Sequence, residues 1–365
     1  MKYGSLKSLA VRFPSREMTN DHWREQHPAM VADIERQLLN RTWSPQGGST
    51  SSHNFDEAMR PFLSDPFRGC QRRFWLAEGE DPTEVEALAA LDALAAAGLR
   101  PSDIDMCIVG SFPPPHIDVG NAAYLARRLG LSCPAWNLEA TCSSTLIALQ
   151  VASGLIQAGQ ATRVLIITSA WYSPSAPSSE VVSIANGDGA CAMVVGESDD
   201  PFLLGVHAEH TGSTCDALQF QLASDEAGRP CIRLRLQEHA GRVIRDASER
   251  AVPLCASKAL EKAALRADEI DFFAFNAAAA WIVPFSTAVV GADPSKTINT
   301  HASFGNTGPV LVPTSLFYGA HAGMIPDDAK VFLFGMGNTS NAVAMVIRWR
   351  DVRLAPIHTP LLSTH

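Results

Sequence analysis

The sequence contains two pairs of matching segments, which occur in the same order in each half of the chain. In the first pair, "LDALAAAGLRPSDIDMCIVGS" matches "SKALEKAALRADEIDFFAFNA", and Ile104 aligns with Ile270, 166 residues later. In the second pair, "NGDGACAMVVGE" matches "NTSNAVAMVIRW", and Ala192 aligns with Ala344, 152 residues later. Offsets this long indicate a duplicated domain rather than a solenoid of short repeats.

Both halves have the same predicted order of elements. A helix precedes an apolar strand at Met106–Gly110 and again at Phe272–Phe275, and a second strand follows later in each half, as "RVLIITS" and "KVFLFGM". The strands are continuous β-branched and aromatic runs, which is typical of strands covered on both faces. We therefore predict an α/β fold in which two layered halves stack with helices between them.

Three domains are predicted from this pattern. Residues 61–200 form the first half and residues 201–365 form the second half. Residues 1–60 match neither repeat, and we predict that they form an N-terminal extension or cap. Within them, the stretch 40–56 is rich in Gly, Ser, Asn and Pro, which predicts a loop.

Composition narrows the class of protein. The 365 residues are 46% hydrophobic, so a large core is expected. Their net charge is −9, so a nucleic-acid-binding surface is not expected. No apolar run is long enough for a signal peptide or a membrane span, and we expect a cytoplasmic protein. The cysteines form no Cys-x-x-Cys pair, which favours reduced thiols. They are Cys70, Cys107, Cys133, Cys142, Cys191, Cys215, Cys231 and Cys255.

One cysteine stands where a turn of small residues precedes a long apolar helix. Cys142 lies in "EATCSSTLIALQVA", and the apolar residues after it occupy nearly every face of the predicted helix. A thiol at a helix N-terminus experiences the positive end of the macrodipole, which favours the nucleophilic thiolate. The sequence around Cys142 is equally compatible with a nucleophile and with a small buried residue.

Two glycine-containing turns lie in the second half. In "FGNTG", Gly305 and Gly308 flank Asn306, which can either occupy a left-handed position or present its amide to a site. In "FGMGNTSNA", Gly335 and Gly337 follow a strand, and the turn can serve as a hairpin or can direct backbone N–H groups at a developing anion.

Taken together, these motifs resemble the β-ketoacyl-ACP synthase III branch of the thiolase superfamily. The resemblance runs from about Pro61 to Trp349 and rests on "EATCSSTLIALQVA", "NGDGACAMVV", "FGNTG" and "FGMGNTSNAVAMVI" in this order. It implies a thiolase-like, duplicated α-β-α-β-α layered fold and a homodimer. It also implies that Cys142 is the nucleophile, that Asn306 is an active-site amide, and that the Gly335–Gly337 loop supplies an oxyanion-hole N–H alongside the Cys142 N–H.

The chain departs from the family at one catalytic position. The family has a histidine after the second-half strand, and here "AFNAAAAWI" places Asn276 at that position, 134 residues after Cys142 and 30 before Asn306. An asparagine can still donate a hydrogen bond to an enolate oxygen, but it cannot act as an acid or a base near neutral pH.

Other side chains are candidates for the missing base. His301 lies five residues before Asn306, at an offset where some ketosynthases carry a lysine. His116 and Asp118 lie in "FPPPHIDVG", a loop that in this family lines the acyl pocket and often reaches the partner subunit. Each of these residues is also compatible with a position on the surface.

No metal or redox cofactor is predicted. His207 and His210 have an i, i+3 spacing that can suggest a metal pair, but no third ligand is near, and a surface turn is the preferred interpretation. No dinucleotide-binding or phosphate-binding motif occurs. A thioester of CoA or phosphopantetheine is expected only as a substrate, so the expected partners are acyl-CoA or an acyl carrier protein together with a small-molecule acyl acceptor.

The resemblance implies an acyltransferase that loads an acyl group on Cys142. The transfer step is predicted to be a Claisen-type condensation with a malonyl or β-ketoacyl thioester in polyketide or other secondary metabolism. Transfer to an oxygen or nitrogen without decarboxylation remains an alternative. A catalytically reduced partner subunit or scaffold of a ketosynthase complex is another, because the histidine is missing. A thiolase or a hydroxymethylglutaryl-CoA-type synthase is disfavoured, because the second-half partner residues of those enzymes are not evident.

Overall fold

The computed structural model describes residues 2–43, 54–225, 227–337 and 341–362. The described strands are β1 (Tyr3–Arg12), β2 (Arg16–Thr19), β3 (Arg72–Trp75), β4 (Met106–Phe112), β5 (Ala135–Asn137), β6 (Arg163–Ala170), β7 (Gly189–Ser198), β8 (Leu203–His210), β9 (Leu218–Ser224), β10 (Pro230–Leu236), β11 (Phe272–Phe275), β12 (Ala329–Met336), β13 (Asn341–Trp349) and β14 (Arg353–Leu354). The described helices are α1 (Asn20–Gln26), α2 (Pro28–Trp43), α3 (Asn54–Met59), α4 (Pro82–Ala97), α5 (Ala122–Leu129), α6 (Ser144–Gln157), α7 (Ala240–Ala263), α8 (Ile282–Val290), α9 (His301–Phe304) and α10 (Leu311–His321).

Two sheets of matching topology form the framework. The first has the order β14-β1-β7-β6-β4-β5, and the second has the order β8-β13-β12-β11. Three strands of each sheet correspond: β4, β6 and β7 in the first, and β11, β12 and β13 in the second. β4 is parallel to β6, as β11 is to β12. β6 is antiparallel to β7, as β12 is to β13. The predicted duplication is thus present as one β-sheet pattern used twice.

The matched sequence segments make the same local contacts in both halves. The side chain of Asp105 accepts a hydrogen bond from the Arg163 N–H at 2.9 Å, at the start of β6. Asp271 does the same for the Lys330 N–H at 2.8 Å, at the start of β12. The Ile-Asp dipeptide therefore occurs in both halves where an aspartate ties one parallel strand to the next.

Helices lie on both sides of each sheet. α6 contacts β1 and β6 of the first sheet and β13 of the second, while α10 contacts β11 and β12 as well as β1. These two helices form the layer between the sheets. α4 covers the outer face of the first sheet and α7 covers that of the second. The predicted α-β-α-β-α layering is confirmed. The strands that were predicted from the sequence to be covered on both faces have helices on both faces.

The beginning of the chain differs from the expectation of a cap. β1 lies between β7 and β14 inside the first sheet, with Leu6 and Leu9 fully buried, so its residues belong to the core. The sequence missed this because β1 has no matching segment among the repeats. Within the expected loop at 40–56, residues 40–43 belong instead to α2, which ends at Trp43, and residues 54–56 belong to α3, which begins at Asn54. Its remainder, residues 44–53, lies outside the described residues.

The segment after β1 does pack over the loops of the first half. β2 pairs with β3 in a small separate sheet, and Trp23 packs edge-on against Trp75 with ring centroids 5.4 Å apart. The Trp75 indole N–H donates to the carbonyl of Asn186 at 3.0 Å. This part of the chain therefore supports a loop that, as shown below, holds Asn306.

Candidate active site

Cys142 lies in a tight turn that leads into the central helix α6. Residues Thr141–Ser143 form a short 3₁₀-helix, and Thr141 has a φ of 51°, an uncommon left-handed value for a β-branched residue. The hydroxyl of Ser143 donates to the Ala140 carbonyl at 2.7 Å, and that of Ser144 donates to the Thr141 carbonyl at 2.8 Å. Such strain is typical of functional turns.

The Cys142 thiol is partly accessible, and its surroundings do not favour the thiolate. The pKa of Cys142 is raised to about 12, chiefly by burial and also by the nearby Glu139 carboxylate, while the Tyr172 hydroxyl acts in the opposite direction. Desolvation and a neighbouring negative charge therefore act against the helix dipole, which is expected from the sequence to favour a thiolate.

The glycine-rich loop packs directly on this turn. A Cβ added to Gly337 would lie 2.1 Å from the Thr141 hydroxyl and 2.5 Å from the Ala140 carbonyl, and one added to Gly335 would lie 3.5 Å from the Cys142 carbonyl. Only glycine allows so close an approach at residue 337. The two halves of the chain thus meet at the candidate nucleophile.

The backbone groups of this loop alternate in direction. The Gly337 N–H donates to the Asn341 carbonyl at 2.8 Å, and Gly335 pairs with Val343 two residues earlier in the same ladder. Because backbone groups alternate along an antiparallel pair, Met336 directs its N–H and carbonyl to the opposite edge. Its carbonyl accepts from the side chain of Asn276 there. The backbone of Met336, rather than that of Gly335 or Gly337, therefore lies on the side of Asn276.

Asn306 is held by contacts from the first half. Its backbone N–H donates to the Ala185 carbonyl at 2.7 Å, and its side-chain Nδ2 donates to Oδ1 of Asn186 at 3.1 Å. Oδ1 of Asn306 accepts from the Gly308 N–H at 3.0 Å. One Nδ2 hydrogen remains in addition to the bond to Asn186. The amide is thus oriented as a donor rather than serving only as a turn former.

The two halves are also joined beside Asn306. Thr145, one residue into α6, donates from its hydroxyl to the Pro309 carbonyl at 2.7 Å. The turn that follows Asn306 is therefore bonded to the helix that begins next to Cys142. This contact brings Cys142 and Asn306 into one site, although they are 164 residues apart in the chain.

Asn276 lies at the end of β11, next to the glycine-rich loop. Its backbone N–H donates to the Phe334 carbonyl at 3.0 Å, and its Nδ2 donates to the Met336 carbonyl at 3.1 Å. The side chain is almost fully buried, and its Oδ1 has no hydrogen-bond partner among the described residues. A buried acceptor without a partner is costly, which suggests that a polar ligand group belongs there.

His301 does not occupy the position expected of a catalytic base. The ring is fully buried, and Nδ1 lies 3.0 Å from the Ala277 carbonyl, so Nδ1 carries the proton. Burial lowers the pKa of His301 to about 4, which keeps the ring neutral. Its observed partner is the backbone that follows Asn276 rather than Cys142, so the structure supports a positioning role for the histidine.

The remaining candidates lie away from Cys142. His116 stacks on Tyr124 with ring centroids 3.5 Å apart, and Asp118 is exposed, so within this chain their loop is at the surface. His207 and His210 lie on β8 rather than in a turn, where a spacing of three puts side chains on opposite faces. The described residues contain no cluster of three or more His, Cys, Asp or Glu suited to a metal ion.

Three residues of this site were not identified from the sequence. Glu139 accepts hydrogen bonds from the Thr141 N–H at 2.5 Å and the Ser144 hydroxyl at 3.1 Å, at the nucleophile turn itself. Burial raises the pKa of Glu139 to about 7. Tyr172 follows β6 and is adjacent to Cys142, while Asn186 holds Asn306. Position was the available signal for Glu139 and Tyr172, because they follow the parallel strands β5 and β6, and residues after the carboxyl ends of parallel strands commonly line sites.

Comparison with known proteins agrees with this geometry. Residues 136–212 match the family model of 3-oxoacyl-[acyl-carrier-protein (ACP)] synthase III, and residues 260–349 match the model of its C-terminal part. A β-ketoacyl-[acyl-carrier-protein] synthase III of Porphyra umbilicalis is 30% identical, over 73% of this chain and 84% of its own length. The chain belongs to the β-ketoacyl-ACP synthase III family.

Solved structures of this ketosynthase family share the fold. The 3-oxoacyl-(acyl carrier protein) synthase III of Pseudomonas aeruginosa superposes with a TM-score of 0.76 at 20% identity, covering 95% of this chain and 98% of its own. The priming β-ketosynthase of a polyketide biosynthetic pathway superposes with a TM-score of 0.77 at 21% identity, covering 96% and 97%. No helix in the described part of this ketosynthase is long and apolar enough to cross a membrane.

Proposed function

We propose that this ketosynthase-family enzyme loads an acyl group from acyl-CoA or an acyl carrier protein onto Cys142 and then transfers it to a second substrate. The observation that carries the proposal is the contact between the Cys142 turn and the glycine-rich loop, where an added Gly337 Cβ would lie 2.1 Å from Thr141. This close approach brings the backbone of the glycine-rich loop beside the Cys142 turn, where its amides can serve an oxyanion hole.

In the loading step, the Cys142 sulfur attacks the thioester carbonyl. The negative charge that develops on the carbonyl oxygen is held by the N–H of Cys142, at the start of α6, and by the N–H of Met336. The bond to the departing thiol then breaks, and the acyl group remains on Cys142. Neither amide has to reorganise, since both belong to backbone that is packed against the other half.

The second step is proposed to be a Claisen-type condensation with a malonyl or β-ketoacyl thioester. Asn306 is oriented as a donor by Asn186, and Asn276 retains an amide at the edge of the same site. With a malonyl thioester, the enolate forms by loss of CO₂, and these amides can stabilise its oxygen, so this step requires donors rather than a base. The missing histidine therefore affects the stabilisation of the enolate more than it affects loading.

The biological setting proposed is polyketide or other secondary metabolism, with a homodimer as the working unit. The resemblance to a priming ketosynthase of a polyketide pathway, in fold, supports this setting. Exposed apolar side chains near the His116 loop support the dimer, notably Ile117 and Val119, which are 72% and 56% exposed. Transfer to an oxygen or nitrogen of a small molecule stays the alternative outcome of the second step.

The test begins with loading. Purified protein is incubated with a panel of acyl-CoAs and acyl carrier proteins, and the intact mass and peptide maps are read, with Cys142→Ala as the control. We expect an acyl adduct on Cys142 alone. A malonyl thioester is then added, and CO₂ with a β-keto product indicates condensation, whereas an ester or amide product indicates plain transfer. If the protein is intact and no acyl donor labels it, the result contradicts the proposal.

A second candidate function is a partner subunit that supports another ketosynthase. It is favoured by Asn276, which stands where the family has a histidine, and by the raised pKa of Cys142. It predicts that Cys142→Ala leaves the activity of the full complex unchanged. The proposed acyltransferase predicts that the same substitution abolishes activity in the complex.

A further inference from the structure

Arg73, on β3, is a fully buried arginine that the proposed mechanism has not used. The acceptors that it bonds are neutral, namely the carbonyls of Met18 and Ile184 and the amide oxygen of Asn20. No carboxylate of the described residues forms an ion pair with it. A buried guanidinium without a counter-ion costs free energy that an apolar side chain of similar length does not, so its place in the core needs a reason.

The guanidinium is held on one side by the segment that follows β1. It lies over the Trp23 ring, 4.4 Å from the centroid, and its Nη1 donates to Oδ1 of Asn20 at 2.7 Å and to the Met18 carbonyl at 3.4 Å. The Trp23 indole N–H in turn donates to the Ser183 hydroxyl at 3.1 Å. The planar group is therefore fixed in orientation by stacking and by two acceptors.

The other terminal nitrogen of Arg73 bonds residues 184–187, the 184–187 loop, which holds Asn306. Nη2 of Arg73 donates to the carbonyl of Ile184. The next two residues orient the amide: the Ala185 carbonyl accepts from the Asn306 N–H at 2.7 Å, and Oδ1 of Asn186 accepts from its Nδ2 at 3.1 Å. A single peptide unit therefore separates the bond to Arg73 from the first bond to Asn306.

The 184–187 loop has no room to adapt independently of its neighbours. The Gly187 N–H donates to the Asn306 carbonyl at 3.0 Å. A Cβ added to Gly187 would lie 2.2 Å from the Phe304 carbonyl and 3.2 Å from the Cβ of Arg73. β3, the loop and the Asn306 turn are thus in direct contact, and packing this dense transmits a displacement rather than absorbing it.

We propose that Arg73 is a positioning residue, which fixes the 184–187 loop against the segment that follows β1 and thereby orients the side chain of Asn306. The inference rests on the proposed function for the reaction step that it affects, but its structural part can be tested without any substrate. It gives the buried charge a reason, because a forked donor can join three acceptors in a fixed plane and an apolar side chain cannot.

The proposed role predicts an effect on one step of the reaction. Asn306 donates to the enolate oxygen in the second step, whereas loading uses Cys142 and backbone amides. A loop that shifts when Arg73 is lost therefore misplaces a donor that loading does not need. Loss of a purely structural contact would instead impair both steps through the folded fraction.

The first experiment compares wild type with Arg73→Met, which keeps the side-chain length and removes the N–H donors. Replacing a buried charge by an apolar group is often neutral for stability, so the variant is expected to fold. Acyl loading of Cys142 is followed by intact mass and product formation by chromatography. We expect product formation to fall roughly tenfold and loading to change by no more than about twofold.

Two controls accompany this comparison. Arg12→Met removes a partly buried arginine that pairs with Asp92 of α4 rather than with the 184–187 loop, and we expect both steps to be unchanged. In an Asn306→Ala background, Arg73→Met should cause no further loss of product, because Arg73 acts through the side chain that is already gone.

The second experiment is hydrogen–deuterium exchange read by mass spectrometry, which needs no acyl donor. In Arg73→Met, peptides that contain the 184–187 loop and residues 304–308 should exchange roughly tenfold faster, while peptides of β4 and β12 should be unchanged. A general loss of stability would raise exchange throughout the chain, and that result contradicts the proposal.

The proposal is also overturned by unchanged exchange in both peptides, by equal losses in loading and product formation, or by an additive loss in the double variant. Arg73→Lys covers the case in which Arg73→Met does not fold, because it keeps the charge and removes the planar fork, and we expect the same changes at a smaller size. If local exchange rises while no acyl donor labels the wild type, the positioning of Asn306 by Arg73 stands and the proposed acyl transfer fails.

Discussion

Glu86 offers a quantitative test of the structure. It lies on α4 and is fully buried, with no lysine or arginine bonded to it in the described chain. Its carboxyl group accepts hydrogen bonds from Ser111 at 2.9 Å and Trp171 at 3.2 Å, and also from Ser169 and Asn121. Burial raises the pKa of Glu86 to about 7, although these four donors act in the opposite direction.

The size of the effect follows from the difference in proton binding between the two states. Below pH 4.5, the ordinary pKa of a glutamate here, Glu86 is protonated in both the folded and the unfolded chain. Between pH 4.5 and 7 the unfolded chain releases this proton and the folded chain retains it, so the free energy of unfolding falls. A shift of this size corresponds to about 3 kcal/mol, present below pH 4.5 and lost by about pH 7.

The assay is urea unfolding at several pH values from 4.5 to 8, for wild type and Glu86→Gln. The glutamine does not titrate, so the free energy of unfolding of the variant, minus that of the wild type, should rise by about 3 kcal/mol across this range. Glu139 and Asp188, whose pKa values burial also raises, titrate in both proteins and cancel in the difference.

The matched control is Glu84→Gln, on the same helix two residues earlier, where the exposed side chain pairs with Arg128 at 2.7 Å. We expect its difference from the wild type to show no such rise, since exposed ion pairs contribute little. If wild type and Glu86→Gln lose stability in parallel from pH 4.5 to 7, Glu86 is ionised in the folded protein. The four hydrogen bonds then outweigh burial, and the reasoning is refuted.

Three further predictions concern the candidate site. Glu139→Gln removes the charge that raises the pKa of Cys142, so iodoacetamide should alkylate Cys142 roughly tenfold faster at pH 8, and an unchanged rate would mean that burial alone sets this pKa. Gly337→Ala places a Cβ 2.1 Å from Thr141, so urea unfolding should show a loss of about 1–3 kcal/mol and mass spectrometry should show no acyl loading. Asn306→Ala should keep acyl loading but lower product formation by roughly 10²-fold, and parallel losses in both steps would contradict its assigned role in the second.

Much of the fold was predictable because its signals are local. The Ile-Asp and Ala-Met-Val echoes revealed the duplication, and the apolar runs predicted strands covered on both faces. β1 was missed, because a strand without a matching segment carries no such signal. Cys142 and Asn306 were identified as site candidates from short motifs, in which small residues form the turns that present a reactive side chain.

The amino-acid sequence alone determined the layered duplication and the turns that carry Cys142 and Asn306, because periodicity and turn chemistry act over a few neighbouring residues. Only the tertiary structure decided which groups surround the sulfur. Tyr172 and Glu139 affect the pKa of Cys142, and the Met336 carbonyl accepts a hydrogen bond from the side chain of Asn276. It also decided that burial raises the pKa of Cys142. Burial and Coulomb interactions depend on what packs around a group in three dimensions, and the spacing along the chain does not encode them.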